Sequence, residues 1–293
     1  MGLCCMSLCV CSDDEHHPLF HVAWIVSSGC YVRLFTCTGY EKSSVADVST
    51  TLANTMGLFL QKTNIIRDYL EDYVDGRAFW PKEVWRQYTP TDNLGDLADP
   101  KNITQAVACL NHLVTNALEC VPECLDYLAL LHTKEVYRFC AIPQVMAIST
   151  LSELYNNPKV FTGVVKIRKG MAAMLILDTT STVGVHKHFH NFAKSILKRV
   201  PQNDPNGPAT VAICKKIMAI TEHNAMIARQ YNMLDTTAHV AFAMPLWFGL
   251  RRIQTPPSLV ALSLFIGYPI FVFMTQLVRG RGFWKWLRFS GKE

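Results

Sequence analysis

The sequence predicts an all-α fold followed by a C-terminal transmembrane helix. Apolar residues recur at three- and four-residue spacing in one segment after another, bounded by helix-stopping Gly and Pro. No strand alternation persists anywhere, and no repeat of fixed period is visible. One stretch near the C-terminus, Ser258 to Val278, runs for 21 residues without a formal charge.

Residues 46–75 read as one long helix, with Leu52, Met56, Phe59, Leu60, Ile66 and Leu70 on its repeating positions and Gly76 as its stop. Pro81 suits the first turn of a short helix over 81–88. Pro90, Asp92, Asn93, Gly95 and Pro100 make 89–101 a loop. Helices follow over about 103–118, 122–132 and 134–155, then a shorter one over 170–178 and another over 184–200, closed by Pro201. Asp204-Pro205-Asn206-Gly207-Pro208 is a surface loop, and a long helix fits 209–232. At ~1.5 Å per residue the stretch 258–278 matches the ~30 Å hydrocarbon core of a bilayer. Trp284 and Trp286 stand beyond it as interface anchors; a buried core helix is the competing reading. The chain then divides into a divergent Cys-rich N-terminus (1–20), one helical domain (21–235), an apolar linking segment (236–257), the span (258–278) and a basic tail (279–293).

The chain has 293 residues, half of them apolar, enough for a sizeable core. Its net charge of +5 is concentrated in residues 251–293, where Arg251, Arg252, Arg279, Arg281, Lys285, Arg288 and Lys292 stand against Glu293 alone. That segment carries +6 and the rest −1, so the basic excess flanks the apolar run. It points to a lipid bilayer as partner and away from nucleic acid. Taken alone, the positive-inside rule places the tail in the cytosol. The eleven cysteines, four of them crowded at Cys4, Cys5, Cys9 and Cys11, do not suggest a secreted disulfide framework. A reducing, cytosol-facing compartment is expected. Met6 stands where a myristoylation motif wants Ser or Thr, and no basic n-region precedes the first apolar stretch.

The chemistry concentrates in Asn64-Ile65-Ile66-Arg67-Asp68-Tyr69-Leu70-Glu71-Asp72. Asn64, Asp68 and Asp72 are four apart and stack on one helix face, with Glu71 beside them and Gln61 one turn earlier. Carboxylates one turn apart repel unless a cation sits between them, and magnesium (Mg2+) takes such oxygens together with substrate phosphates. A solvated acidic face is the plainer alternative; the apolar character of the rest of the helix weighs against it, because a buried unpaired charge is costly. Arg67 and Arg77 suit phosphate oxygens, although each read alone is an ordinary salt-bridge residue. Lys166-Ile167-Arg168-Lys169-Gly170 is a second basic set, which by spacing alone is a solvated turn. Phe139-Cys140-Ala141-Ile142-Pro143-Gln144 opens an apolar helix, which by itself reads as core.

Four segments, MGLFLQKTNIIRDYLED (56–72), GRAFWPKEVW (76–85), FCAIPQVMAI (139–148) and VKIRKG (165–170), together resemble the squalene synthases of the squalene/phytoene synthase family. The likeness covers about 45–232 and extends weakly to HVAWIVSSGCYVRLF (21–35), similar to a glycine-rich pocket helix. It implies a partial isoprenoid-synthase-type helical bundle at the endoplasmic reticulum membrane, its helices in the cytosol. It implies head-to-head coupling of two farnesyl diphosphates through presqualene diphosphate to squalene, with magnesium and NADPH, in sterol and isoprenoid biosynthesis. Phytoene synthases share the acidic helix but need no NADPH; FWPKEVW, KIRKG and the anchor favour the squalene branch.

Residue by residue, the resemblance makes Asp68, Glu71 and Asp72 metal ligands and Asp68, Asp72 and Arg77 the catalytic diphosphate set. It makes Arg67, Lys166 and Arg168 contacts of NADPH, and Gln61, Asn64, Phe139, Cys140 and Pro143 the substrate pocket. The family's first acidic helix, of DxxED type, has no counterpart: Asp13-Asp14-Glu15 lacks the spacing, His21 stands where a pocket tyrosine is usual, and Trp24 and Ser27 replace glycines. Three expectations follow: an N-terminally truncated or divergent family member, a catalytically inactive membrane-anchored protein that binds prenyl diphosphate or a partner, or an enzyme completed by another chain rather than a monomer.

Overall fold

The computed structural model describes residues 50–252, apart from the isolated Gly39, with side chains over 51–230. The Cys-rich N-terminus, the 21–35 segment, the span 258–278 and the basic tail lie outside the described residues. Among the described residues no helix is long and apolar enough to cross a membrane.

The helices are α1 (Thr50–Arg67), α2 (Tyr69–Val74), α3 (Lys82–Trp85), α4 (Ile103–Leu118), α5 (Val121–Leu130), α6 (Lys134–Leu154), α7 (Lys169–Asp178), α8 (Thr182–Leu197) and α9 (Gly207–Arg252). No strand occurs among the described residues. Two compact units divide the chain, Met1–Ala228 and Arg229–Glu293. In the first, α1 packs on α4, α5 and α6, and α6 packs in turn on α7 and α8. Phe59, Leu118, Ile148 and Leu151 meet there with no exposed surface, each an apolar repeat position of its helix.

The expected helix over 46–75 is interrupted at Asp68, which turns at φ −90° and ψ 11° between α1 and α2. The backbone bonds across the turn persist, Asp68 N–H to the Asn64 carbonyl at 2.9 Å and Asp72 N–H to the Asp68 carbonyl at 2.9 Å. The turn therefore keeps the one-face stacking of Asn64, Asp68 and Asp72. Where a loop was expected over 89–101, two 3-10 turns form, Leu94–Ala98 and Pro100–Asn102. The Asn93 and Asp99 side chains cap them by accepting from the Gly95 and Lys101 N–H groups. The helix expected over 209–232 begins at Gly207 and continues to Arg252; Met233, Leu234, Ala238, Ala241 and Ala243 favour the extension, and Pro245 within it does not end the helix.

Where a surface loop was expected over 204–208, α9 already begins at Gly207, and the remaining segment is tied to the core by Asn111. Its amide donates to Asp204 at 2.6 Å and accepts the Asn156 N–H at 2.8 Å, with Asn111 itself 1% exposed. The five described cysteines, Cys109, Cys120, Cys124, Cys140 and Cys214, are buried thiols. Burial pushes the Cys109 and Cys124 thiols up and that of Cys214 to about 12, so none is a thiolate near neutral pH.

Candidate diphosphate site on α1 and α2

The acidic residues occupy the joint between α1 and α2, and each carboxylate meets a cation. Arg67 grips Asp68 as a two-pronged fork, Nε to Oδ1 at 2.7 Å and Nη2 to Oδ2 at 2.6 Å. The hydrogen bond to Asp68 raises the Arg67 guanidinium above its ordinary value. Arg77 reaches Asp72 with Nε at 3.2 Å and Nη2 at 3.0 Å, and shares Nη2 with Asp75 at 2.9 Å. Lys166, on the extended segment before α7, places Nζ 3.9 Å from Glu71.

Local backbone chemistry explains how Arg77 arrives there. Gly76 follows α2 at φ +74°, the left-handed region. Its N–H bonds the Tyr73 carbonyl at 3.1 Å, and the Arg77 N–H bonds the Asp72 carbonyl at 2.8 Å, the paired bonds of a Schellman stop. That stop folds Arg77 back over Asp72. Space is open around Gly76, so an added Cβ meets backbone strain alone. Gly76→Ala is expected to cost about 1 kcal/mol in urea unfolding; a variant as stable as wild type would show that the φ value is not held by the fold.

Asp72 is 9% exposed. Burial pushes its carboxyl above the ordinary aspartate value, with the Arg77 bond opposing that rise in part. A cation bound there would offset the same burial, because it favours the charged form.

Beside this joint lies a cavity of about 390 Å³. Four of the expected site residues line it: Asn64 and Arg67 from α1, Pro143 from α6 and Lys166. Leu60, Met146, Ala147, Ile167 and Ala172 add apolar lining. Thr63 and Thr150 also line it, their hydroxyls donating to the Phe59 and Met146 carbonyls at 2.8 and 2.9 Å. Of these seven, the sequence drew attention to Met146 alone as a possible pocket residue, on a helix read as core, and missed the other six as site residues. Helical spacing could have found most of them, since Leu60 lies one turn before Asn64 and Thr63 one turn before Arg67, while Met146 and Ala147 lie one turn and Thr150 two turns after Pro143. Gln61, Phe139, Cys140 and Arg168 are not part of this lining: Gln61 is half-buried, Cys140 buried, Phe139 and Arg168 exposed. Asp68, Glu71, Asp72 and Arg77 are grouped beside it, on the turn between α1 and α2, on α2 and on the turn that follows.

For a metal, the donors are hard carboxylate oxygens on adjacent turns, the chemistry magnesium takes when phosphates complete its shell. Among the described residues no group of three or more His, Cys, Asp or Glu could hold a metal ion by itself. For a phosphorylated cofactor, Arg67 and Lys166 converge on the cavity while Arg168 stays on the surface.

A family model described as squalene/phytoene synthase matches residues 27–170. Human squalene synthase is 48% identical over 209 residues, 71% of this chain and 49% of its own length. Squalene synthase 3 of Panax ginseng is 43% identical over 219 residues, 73% of this chain and 51% of its own. A solved ligand complex of TcSQS superposes with a TM-score of 0.66 at 37% identity, covering 70% of this chain and 60% of that one. The chain spans about half the length of the curated relatives it matches.

Proposed function

Because this chain belongs to the squalene/phytoene synthase family, we propose that it is a squalene synthase-type transferase that joins two farnesyl diphosphates head to head through presqualene diphosphate to squalene. Its place would be sterol and isoprenoid biosynthesis at the endoplasmic reticulum membrane, anchored through 258–278 with the helices in the cytosol. The observation that supports it best is the pairing of a cation-bearing acidic joint with an apolar cavity, Arg67 belonging to both.

Asp68 and Asp72, with Glu71 beside them, would hold magnesium, and Arg67, Lys166 and Arg168 would hold NADPH. When bound, these groups supply Lewis-acid charge at the leaving diphosphate and a hydride for the final reduction. The chain's own residues do the rest. Arg67 and Arg77 are forks already placed against oxyanions, and they can exchange carboxylate for phosphate oxygens of the same geometry. The apolar cavity lining takes the prenyl chain and keeps water from a cationic centre.

A second reading is that the chain binds prenyl diphosphate without turnover. The family's first acidic helix, of DxxED type, is not among the described residues 50–252, and half of a charge array stabilises a leaving group far less than the whole.

Turnover of radiolabelled farnesyl diphosphate by the purified full chain, with magnesium and NADPH, separates the two. Presqualene diphosphate or squalene is expected from the wild type, and roughly 100-fold less from Asp68→Asn. Magnesium-dependent binding without product, in a chain whose helical circular dichroism is intact, favours the second reading. Neither binding nor product sinks both.

A further inference from the structure

The sequence of α7, Lys169–Asp178, is apolar without a break from Met171 to Leu177, yet Leu175 is the one residue of the helix that is buried. Met171, Met174 and Leu177 fall three apart and form one stripe, exposed by 39%, 46% and 74%, with Ile176 beside it at 41%. A helix face turned to water ordinarily carries charge, and this one has none. Val164, on the extended segment before it, is 54% exposed and continues the apolar surface. Between them stand Lys166, Arg168 and Lys169, all exposed, and no acidic residue occurs from Thr162 to Leu177. Asp178, which ends the helix, is neutralised by Lys187 at 2.5 Å.

We propose that the α7 stripe with its three flanking cations is a docking surface for an anionic lipid bilayer, separate from the membrane span expected at 258–278. An apolar stripe beside lysine and arginine is the composition of a helix lying in the interface plane, its cations reaching to headgroup phosphates. Charge decides the occupant: Lys166 faces Glu71, but the patch itself carries three cations and no acid, so an anionic leaflet is attracted and each cation adds to binding. Lys166, Ile167 and Ala172 also line the cavity. Docking therefore sets the cavity beside the acyl region, where an apolar product would partition. The docking itself does not rest on the proposed chemistry, and its test uses no turnover.

Hydrogen exchange by mass spectrometry on the full chain decides it. The chain is bound to phosphatidylcholine vesicles with and without roughly 30% phosphatidylserine. Amides of 169–178 are expected to exchange roughly tenfold more slowly on the anionic vesicles. Met174→Glu combined with Leu177→Glu should remove that difference while exchange within α6 stays unchanged, since both positions are exposed and the fold does not need them. Lys169→Glu should reduce it without altering the stripe. Equal exchange on the two vesicle types overturns the proposal, as does slowing that survives in the double variant.

Discussion

Asp72→Asn is expected to weaken magnesium-dependent binding of a non-ionisable farnesyl diphosphate analogue by roughly 100-fold while leaving the chain at least as stable as wild type at neutral pH. The two effects have one cause. Asp72 is nearly buried, and burial holds its carboxyl above the ordinary value despite Arg77. A carboxyl whose folded pKa is raised contributes stability fully below its unfolded value of about 3.9, and that contribution is lost as pH rises through the folded value. At neutral pH the charged form is thus a burden on the fold that a bound cation relieves. Asparagine keeps the shape without the charge, and Arg77 retains Asp75 as a partner at 2.9 Å. Urea unfolding at neutral pH beside calorimetric titration of the analogue measures both quantities. Weaker binding with a lower urea midpoint would mean that Asp72 serves the fold rather than a ligand.

Trp80→Ala is expected to cost about 4 kcal/mol in unfolding free energy. Trp80 is 2% exposed, and its ring centroid lies 4.5 Å from that of Tyr69 and 5.9 Å from that of Phe161. Tyr69 and Phe161 themselves meet edge-on at 5.2 Å. The indole Nε1 donates to the Ile65 carbonyl at 3.1 Å, in the last turn of α1 before Asp68. The tryptophan thus supports the joint that presents the carboxylates, which gives the FWPKEVW segment a physical role next to the acidic helix. Trp80→Phe keeps the stacking and loses the N–H, so about 1 kcal/mol is expected from it. Equal losses in the two variants would place the whole effect in the hydrogen bond and argue against the packing account.

The sequence by itself determined the helices and the acidic stripe. The segments expected over 103–118, 122–132 and 134–155 appear as Ile103–Leu118, Val121–Leu130 and Lys134–Leu154. Apolar periodicity is a local property, and Pro, Gly and capping residues mark its limits within a turn or so. The four-residue spacing of Asn64, Asp68 and Asp72 likewise needs only helix geometry. The break at Asp68 left no such mark, because that residue departs from the helix while its backbone bonds continue.

Only the tertiary structure decided which cations reach which carboxylates and which residues share a cavity. Arg67 could have faced solvent, and instead it folds onto its neighbour Asp68. Arg77 reaches Asp72 because a left-handed glycine turns the chain back. Lys166 reaches Glu71 from an extended segment with no helical or strand periodicity to signal it. Helical spacing could place Pro143 and Met146 on one face of α6, but not opposite Asn64 and Arg67. That pairing depends on α1 packing against α6, and contact between elements distant in sequence follows from the whole core rather than from any one segment.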